Sequence, residues 1–188
     1  NADGTIQGSQ VMLEATGVIN GQDNSPQITA VGTAGEYVVT YHGSDSNGDN
    51  SIFVQKFNAD GTIQGTQVKL EATGVTNGSD DYSQITAVGT AGEYVVTYHG
   101  RDSNGDNSIF VQKFNADGTI QGSQVMLEPT GVTNGYDYSP QITAVGTTGE
   151  YVVTYYGDDS NGDNSIFVQK FNADGTIQGS QVMLEATG

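Results

Sequence analysis

The chain has no cysteine and no tryptophan, three prolines, and only five lysines and arginines among its 188 residues. Without cysteine there are no disulfides and no thiolate metal sites, which leaves the compartment open. The five basic residues face 22 acidic ones, a formal charge of −17. Such a charge repels a phosphate backbone and an anionic bilayer, so nucleic acid and membrane insertion drop out as expected partners. There is no long apolar run, no lipidation motif and no signal peptide, so any export signal is expected outside this stretch. The acidic balance suits an extracellular or cell-surface setting. No helix-period segment of useful length occurs either. What is abundant is glycine, 27 residues, with threonine, valine, isoleucine and tyrosine between, the composition of β-strands joined by tight turns. Hydrophobic residues make up 35%, enough for a core.

An internal repeat decides the organisation. "NADGTIQG" begins at Asn1, Asn58, Asn115 and Asn172, a constant spacing of 57 residues. The first 17 residues are identical to the last 17. Residues 1–17 therefore read as a partial repeat, the last strand of a preceding unit, followed by complete units at 18–74, 75–131 and 132–188. A stretch of a longer array would look like this, and so would a subunit with a spare strand.

Within a unit, period-2 alternation gives four strands. In the first these are 27–32 and 36–43 around "TAG", then 51–57, and then 66–72 after the turn "NADG". Val68, Leu70 and Ala72 fall on one face of the last strand, and Gln67, Lys69 and Glu71 on the other. Lys69 is equivalent to Met12 and Met126, so that second face is expected to be wet. In the spare segment the strand is expected at 10–15, with an open edge that calls for another chain or repeat.

The predicted fold is all-β: tandem 57-residue units, each a four-stranded antiparallel meander of propeller-blade type. An immunoglobulin-like sandwich needs roughly 100 residues per domain, more than one unit offers. "EYVVTYHG" followed by "SIFVQKFNADGTIQG" resembles bacterial β-propeller repeats, and also the tandem repeats of giant secreted calcium-binding adhesins. The likeness covers all three units and the spare segment. Asp60, Asp117 and Asp174 in "NADGT" resemble the Asp-box turn of sialidase-like propellers, which implies a structural turn. Closed propellers have about four to eight blades, so three units imply completion by other repeats, assembly of copies, or an open array.

The loop "DSNGDNS" precedes the third strand of every unit. Asp45, Asn47 and Asp49 alternate as hard-cation ligands do, and Asp102, Asn104, Asp106 and Asp159, Asn161, Asp163 repeat the pattern. It is not an EF-hand, because Asn50 and Lys56 stand where Gly and Glu belong. Asp23, Asp80 and Asp137 are expected at the same end of the sheet and are candidates for a further ligand. Two readings stand together: a Ca2+ site, and a solvated turn held by side-chain to backbone hydrogen bonds.

The units differ chiefly at this end, where "GQDNSP", "GSDDYS" and "GYDYSP" precede the first strand. Tyr82, Tyr136 and Tyr138 there suit stacking on sugars, although exposed loops also drift freely. Catalysis has little support: the only histidines, His42 and His99, have no nucleophile signature beside them, and the carboxylate pairs recur in every unit. The expected function is a non-enzymatic structural repeat of an extracellular adhesin, matrix or filament protein. It would associate with copies of itself or adjacent repeats through sheet edges. The alternative is a propeller binding glycan or protein through the variable loops.

Overall fold

The computed structural model describes residues 8–15, 21–76, 78–133 and 135–184. Blade 1 comprises β1 (Asp23–Val31), β2 (Glu36–Ser44), β3 (Asn50–Phe57) and β4 (Ile63–Leu70). Blade 2 comprises β5 (Asp80–Val88), β6 (Glu93–Arg101), β7 (Asn107–Phe114) and β8 (Ile120–Leu127). Blade 3 comprises β9 (Asp137–Val145), β10 (Glu150–Asp158), β11 (Asn164–Phe171) and β12 (Ile177–Leu184). Each blade is one antiparallel meander with its strands in chain order, so the predicted all-β repeat of four-stranded units is the observed fold.

Two bulges recur in every blade and account for differences from the alternation pattern. The fourth strand starts three residues earlier than its apolar pattern suggests, because a bulge at Gly65, at φ 70°, absorbs two extra residues opposite the step between Val54 and Lys56. The first strand begins at Asp23, before a bulge that places Ser25, Tyr82 and Ser139 at φ 50°, 53° and 50°. Positive φ costs a non-glycine residue about 1 kcal/mol or more, and the bulge re-aims that side chain outward. The "NADG" turn is held locally: Asp60 Oδ1 accepts from Thr62 N at 3.0 Å and from Thr62 Oγ1 at 2.6 Å. Gly61 follows at φ 85°, a conformation only glycine adopts without strain. Asp117 and Asp174 repeat these bonds, so all three aspartates are structural.

Alternation along the central strands gives every blade one aromatic and one aliphatic face, and the blades stack aromatic on aliphatic. Val38, Ile52, Val54 and Leu70 of blade 1 receive Tyr94, Tyr98, Phe110 and Phe114 of blade 2. Val95, Ile109, Val111 and Leu127 of blade 2 receive Tyr151, Tyr155, Phe167 and Phe171 of blade 3. The rings are cross-strand pairs: Tyr94 stacks on Phe114 at 4.8 Å and Tyr98 on Phe110 at 5.6 Å. Fully burying one such side chain contributes about 1.5–3 kcal/mol, so the junctions between blades are the core of the molecule. A glutamine tightens each junction: Gln124 Nε2 donates to Tyr98 Oη at 2.6 Å and to the Glu71 carbonyl at 3.1 Å.

Residues 9–15 form no strand. Leu13 and Ala15 nevertheless pack on Tyr41 and Phe53, and Gln67 Nε2 donates to the Glu14 carbonyl at 3.1 Å. The segment covers the aromatic face of blade 1 as the tail of blade 1 covers that of blade 2. At the other end the aliphatic face of blade 3 is open: Ile166 is 45% exposed where Ile52 and Ile109 are at 0%.

Candidate functional site at the loop end

The acidic loops close as turns. In blade 1, Asp45 N donates to the Asp49 carbonyl at 2.8 Å, and Asp45 Oδ1 accepts from Asn47 N at 2.7 Å and Gly48 N at 3.2 Å. Asn47 Nδ2 donates to Asp45 Oδ2 and to the Thr76 carbonyl, at 3.3 and 3.1 Å, so the amide ties the loop to the chain entering blade 2. Asp102 with Asn104, and Asp159 with Asn161, repeat the turn bonds. In the third loop Asp159 Oδ1 also accepts from Asp163 N at 2.9 Å, and Asp163 is exposed.

The charges of blade 1 are compensated from within the chain. Lys69 Nζ lies 2.9 Å from Asp45 Oδ2 and is also paired with Glu71. Burial works against ionisation of Asp45, but the Lys69 ammonium and hydrogen bonds in the turn hold its carboxyl well below the usual range. Asp49 is pushed up to about 6 by burial and by the Asp45 carboxylate beside it.

Blade 2 has Met126 where blade 1 has Lys69. Asp102, Asp106 and Glu128 each place one carboxylate oxygen within 4.8 Å of the others, with no ammonium among them. Glu128 Oε1 accepts from Ser108 Oγ at 2.9 Å. Asp106 is buried, and neither of its carboxylate oxygens has a hydrogen-bond partner. Its pKa is pushed up to about 6, by burial first and then by Asp102.

The fourth carboxyl at each junction comes from the following blade. Asp80 and Asp137 open β5 and β9 opposite Gly100 and Gly157, with their Oδ1 atoms 1.9 Å from where a Cβ on either glycine would sit. Asp80 Oδ1 and both carboxylate oxygens of Asp137 are buried without partners. Burial raises both pKa values to about 8; Glu71, Asp49 and Asp81 add to this for Asp80, and Glu128, Asp106 and Asp158 for Asp137. A partnership of the first loop with Asp23 in its own unit is thus not what forms. Asp23 lies on Gly43, exposed, whereas Asp80 stands beside Asp49 and Glu71. The reason is packing, since the first strand of a blade lies against the third strand of the blade before it. Glu71 and Glu128 were the members that alternation did not flag, because it placed them on the wet face.

The aromatic candidates do come together. Tyr136 stacks on Tyr138 at 6.1 Å, Tyr138 meets Tyr156 at 5.5 Å, and the His99 ring stands edge-on to Tyr138 at 5.5 Å. Tyr82, aimed outward by its bulge, meets His99 at 5.0 Å. The five rings form a continuous row across blades 2 and 3. Tyr82, Tyr136 and Tyr156 are exposed, at 58%, 50% and 36%, and Tyr138 is half-buried. Blade 1 has Ser25 where blade 2 has Tyr82 and Asn24 where blade 3 has Tyr138, and among the described residues no such row. Clefts of about 320 and 290 Å3 between the blades' outer strands contain Lys56 and Lys113, whose Nζ atoms are taken by Glu36 and Glu93 at 3.1 and 2.7 Å.

No protein-family model and no curated protein matches the chain. Among solved structures it is similar to a thermostable family-43 glycoside hydrolase, with TM-score 0.51 and 15% identity over 87% of this chain. An endo-arabinase from Bacteroides thetaiotaomicron is similar at TM-score 0.49 and 14% identity over 86% of the chain. The chain spans 54% and 61% of those two proteins, and at such identity the likeness establishes the fold alone. That fold is the β-propeller, and the propeller-type reading of the repeats holds. The expectation of a non-enzymatic structural module is overturned. It took recurring blades as the mark of a span-building protein, yet the family-43 structure that shares these blades is a glycoside hydrolase. Fold carries no function by itself, and a blade repeat is no ground for excluding an enzyme.

Proposed function

We propose that the chain supplies blades of a carbohydrate-active β-propeller and that the loop end of blades 2 and 3 is its glycan-binding surface. The observation that carries this reading is the row Tyr82, His99, Tyr138, Tyr136 and Tyr156, whose exposed rings offer flat apolar faces with polar edges. Sugar rings present C–H faces to such surfaces, and Asp158, whose Oδ2 accepts from Tyr136 N at 3.2 Å, offers a hydrogen-bonding group for their hydroxyls at the rim. The charge of −17 favours neutral over anionic polysaccharides. The glycoside hydrolase that shares the fold supports a carbohydrate ligand.

Titration calorimetry against a panel of neutral polysaccharides tests this. Tyr136→Ala and Tyr82→Ala should each weaken the binding about fivefold, the ~1 kcal/mol of one aromatic contact. A panel without saturable binding, or affinities unchanged in both variants, would overturn the reading. A reducing-end assay on the polysaccharide that binds then reads whether it is also cleaved.

A further inference from the structure

The two junctions hold the same set of carboxylates but different counter-charges. At the first, the Lys69 ammonium sits between Asp45 and Glu71. At the second the equivalent side chain is Met126, which carries no charge and is 48% exposed. Asp102, Asp106 and Glu128 nevertheless converge to within 4.8 Å. Two buried carboxyls there find no donor: Asp106, 6% exposed and set against the Asp102 carboxyl, and Asp137, at 0%, beside Asp106 and Glu128. Buried polar groups are nearly always satisfied, and an unsatisfied carboxylate is costly enough that several in one place point to a missing partner. Solvated turns explain Asp102, whose oxygens accept from Asn104 and Gly105. They leave Asp106 and Asp137 unexplained.

We propose that blades 2 and 3 clamp one calcium ion at their junction, bound by an oxygen from each of Asp102, Asp106 and Glu128 with Asp137 behind it, in the place that Lys69 fills at the junction before. Oxygen-only ligands of high negative charge select a hard cation. Calcium's flexible coordination of six to eight oxygens suits three protein ligands completed by water at the mouth of the site, near the exposed Met126. The ion ties the loop and tail of blade 2 to the first strand of blade 3. The site is separate from the aromatic row and does not depend on glycan binding. Among the described residues this is the one such convergence of carboxylates, and Asp163 in the third loop is exposed, so one ion is expected.

Calcium chloride titrated into the chelator-treated protein should bind one equivalent and raise Tm by roughly 5–10 °C at a concentration a hundredfold above Kd. Met126→Lys, an exposed change that installs the lysine of the first junction, should weaken calcium binding at least a hundredfold while holding Tm in chelator at or above that of the parent. Asp106→Asn should also lose binding, with the fold retained by circular dichroism. Failure of the parent to bind calcium, more than one equivalent bound, or parent-like affinity in Met126→Lys would overturn the proposal.

Discussion

The junction between blades 1 and 2 and that between blades 2 and 3 share their aromatic-on-aliphatic core, their glutamine clasp and their glycine-backed aspartate. They differ where charge is settled: Lys69 against Met126, His99 against Tyr156, and Arg101 against Asp158. The apolar core is insensitive to these changes because all six side chains lie outside it. The buried carboxyls are sensitive, since each junction contains the same acids and only the first has an ammonium to meet them. A repeat thus copies packing faithfully while leaving electrostatics to be solved junction by junction.

The largest effect is expected where both junctions are the same. A methyl on Gly100 or Gly157 would occupy the space of the Asp80 or Asp137 carboxyl, which is buried and has nowhere to retreat. Gly100→Ala and Gly157→Ala should each destabilise by about 2–3 kcal/mol in chemical denaturation, the cost of overpacking. Unequal losses would show that the two junctions differ in packing as well as in charge.

The pH dependence of the ion-free protein should separate the junctions. Asp80 and Asp137 have folded pKa values near 8, above the ordinary aspartate range, so the folded state binds their protons more tightly than the unfolded chain does. Stability from this source is complete below pH ~4 and is lost as pH rises through 8. In chelator, Tm should therefore be higher at pH 5 than at pH 8.5. Asp137→Asn should recover about 2 kcal/mol at pH 8.5 and little at pH 5, since it removes a charge faced by Glu128, Asp106 and Asp158. Asp80→Asn should recover less, because Lys69 already pairs with Glu71, one of the three acids facing Asp80. Equal recovery in both would erase the electrostatic difference between the junctions.

Much of this fold is written in the sequence. The spacing of 57, the alternation of Tyr94, Tyr98, Phe110 and Phe114 against Val95, Ile109 and Val111, and the glycines of the turns specify four strands per unit and two apolar faces. The candidate ligands were legible only in part. Loop spacing singled out Asp102 and Asp106, and the blade pattern put Asp137 at the same end, but within its own unit; that Asp137 instead faces the loop of the preceding blade, and that Glu128 joins from a neighbouring strand, leaves no trace in distance along the chain. One signal was present: aligning units puts Lys69 over Met126, a lost charge among conserved acids of the same chain. The strand expected at 10–15 is absent because Ala15 and Leu13 dock on the ring face of blade 1.

The smallest effect, and the most direct test of the comparison, is to make the first junction resemble the second. Lys69→Met removes a half-exposed ammonium from Asp45 and Glu71, and in chelator it should cost only about 1 kcal/mol, because solvent screens the pair. Asp45, Asp49 and Glu71 are then left as Asp102, Asp106 and Glu128 are now, with Asp80 in the place of Asp137. If the lysine stands in for an ion, calorimetry of Lys69→Met should rise from one bound calcium to two, and calcium should restore the lost stability. If binding stays at one, the first junction lacks a geometry that the second possesses, and Lys69 is an ordinary surface pair.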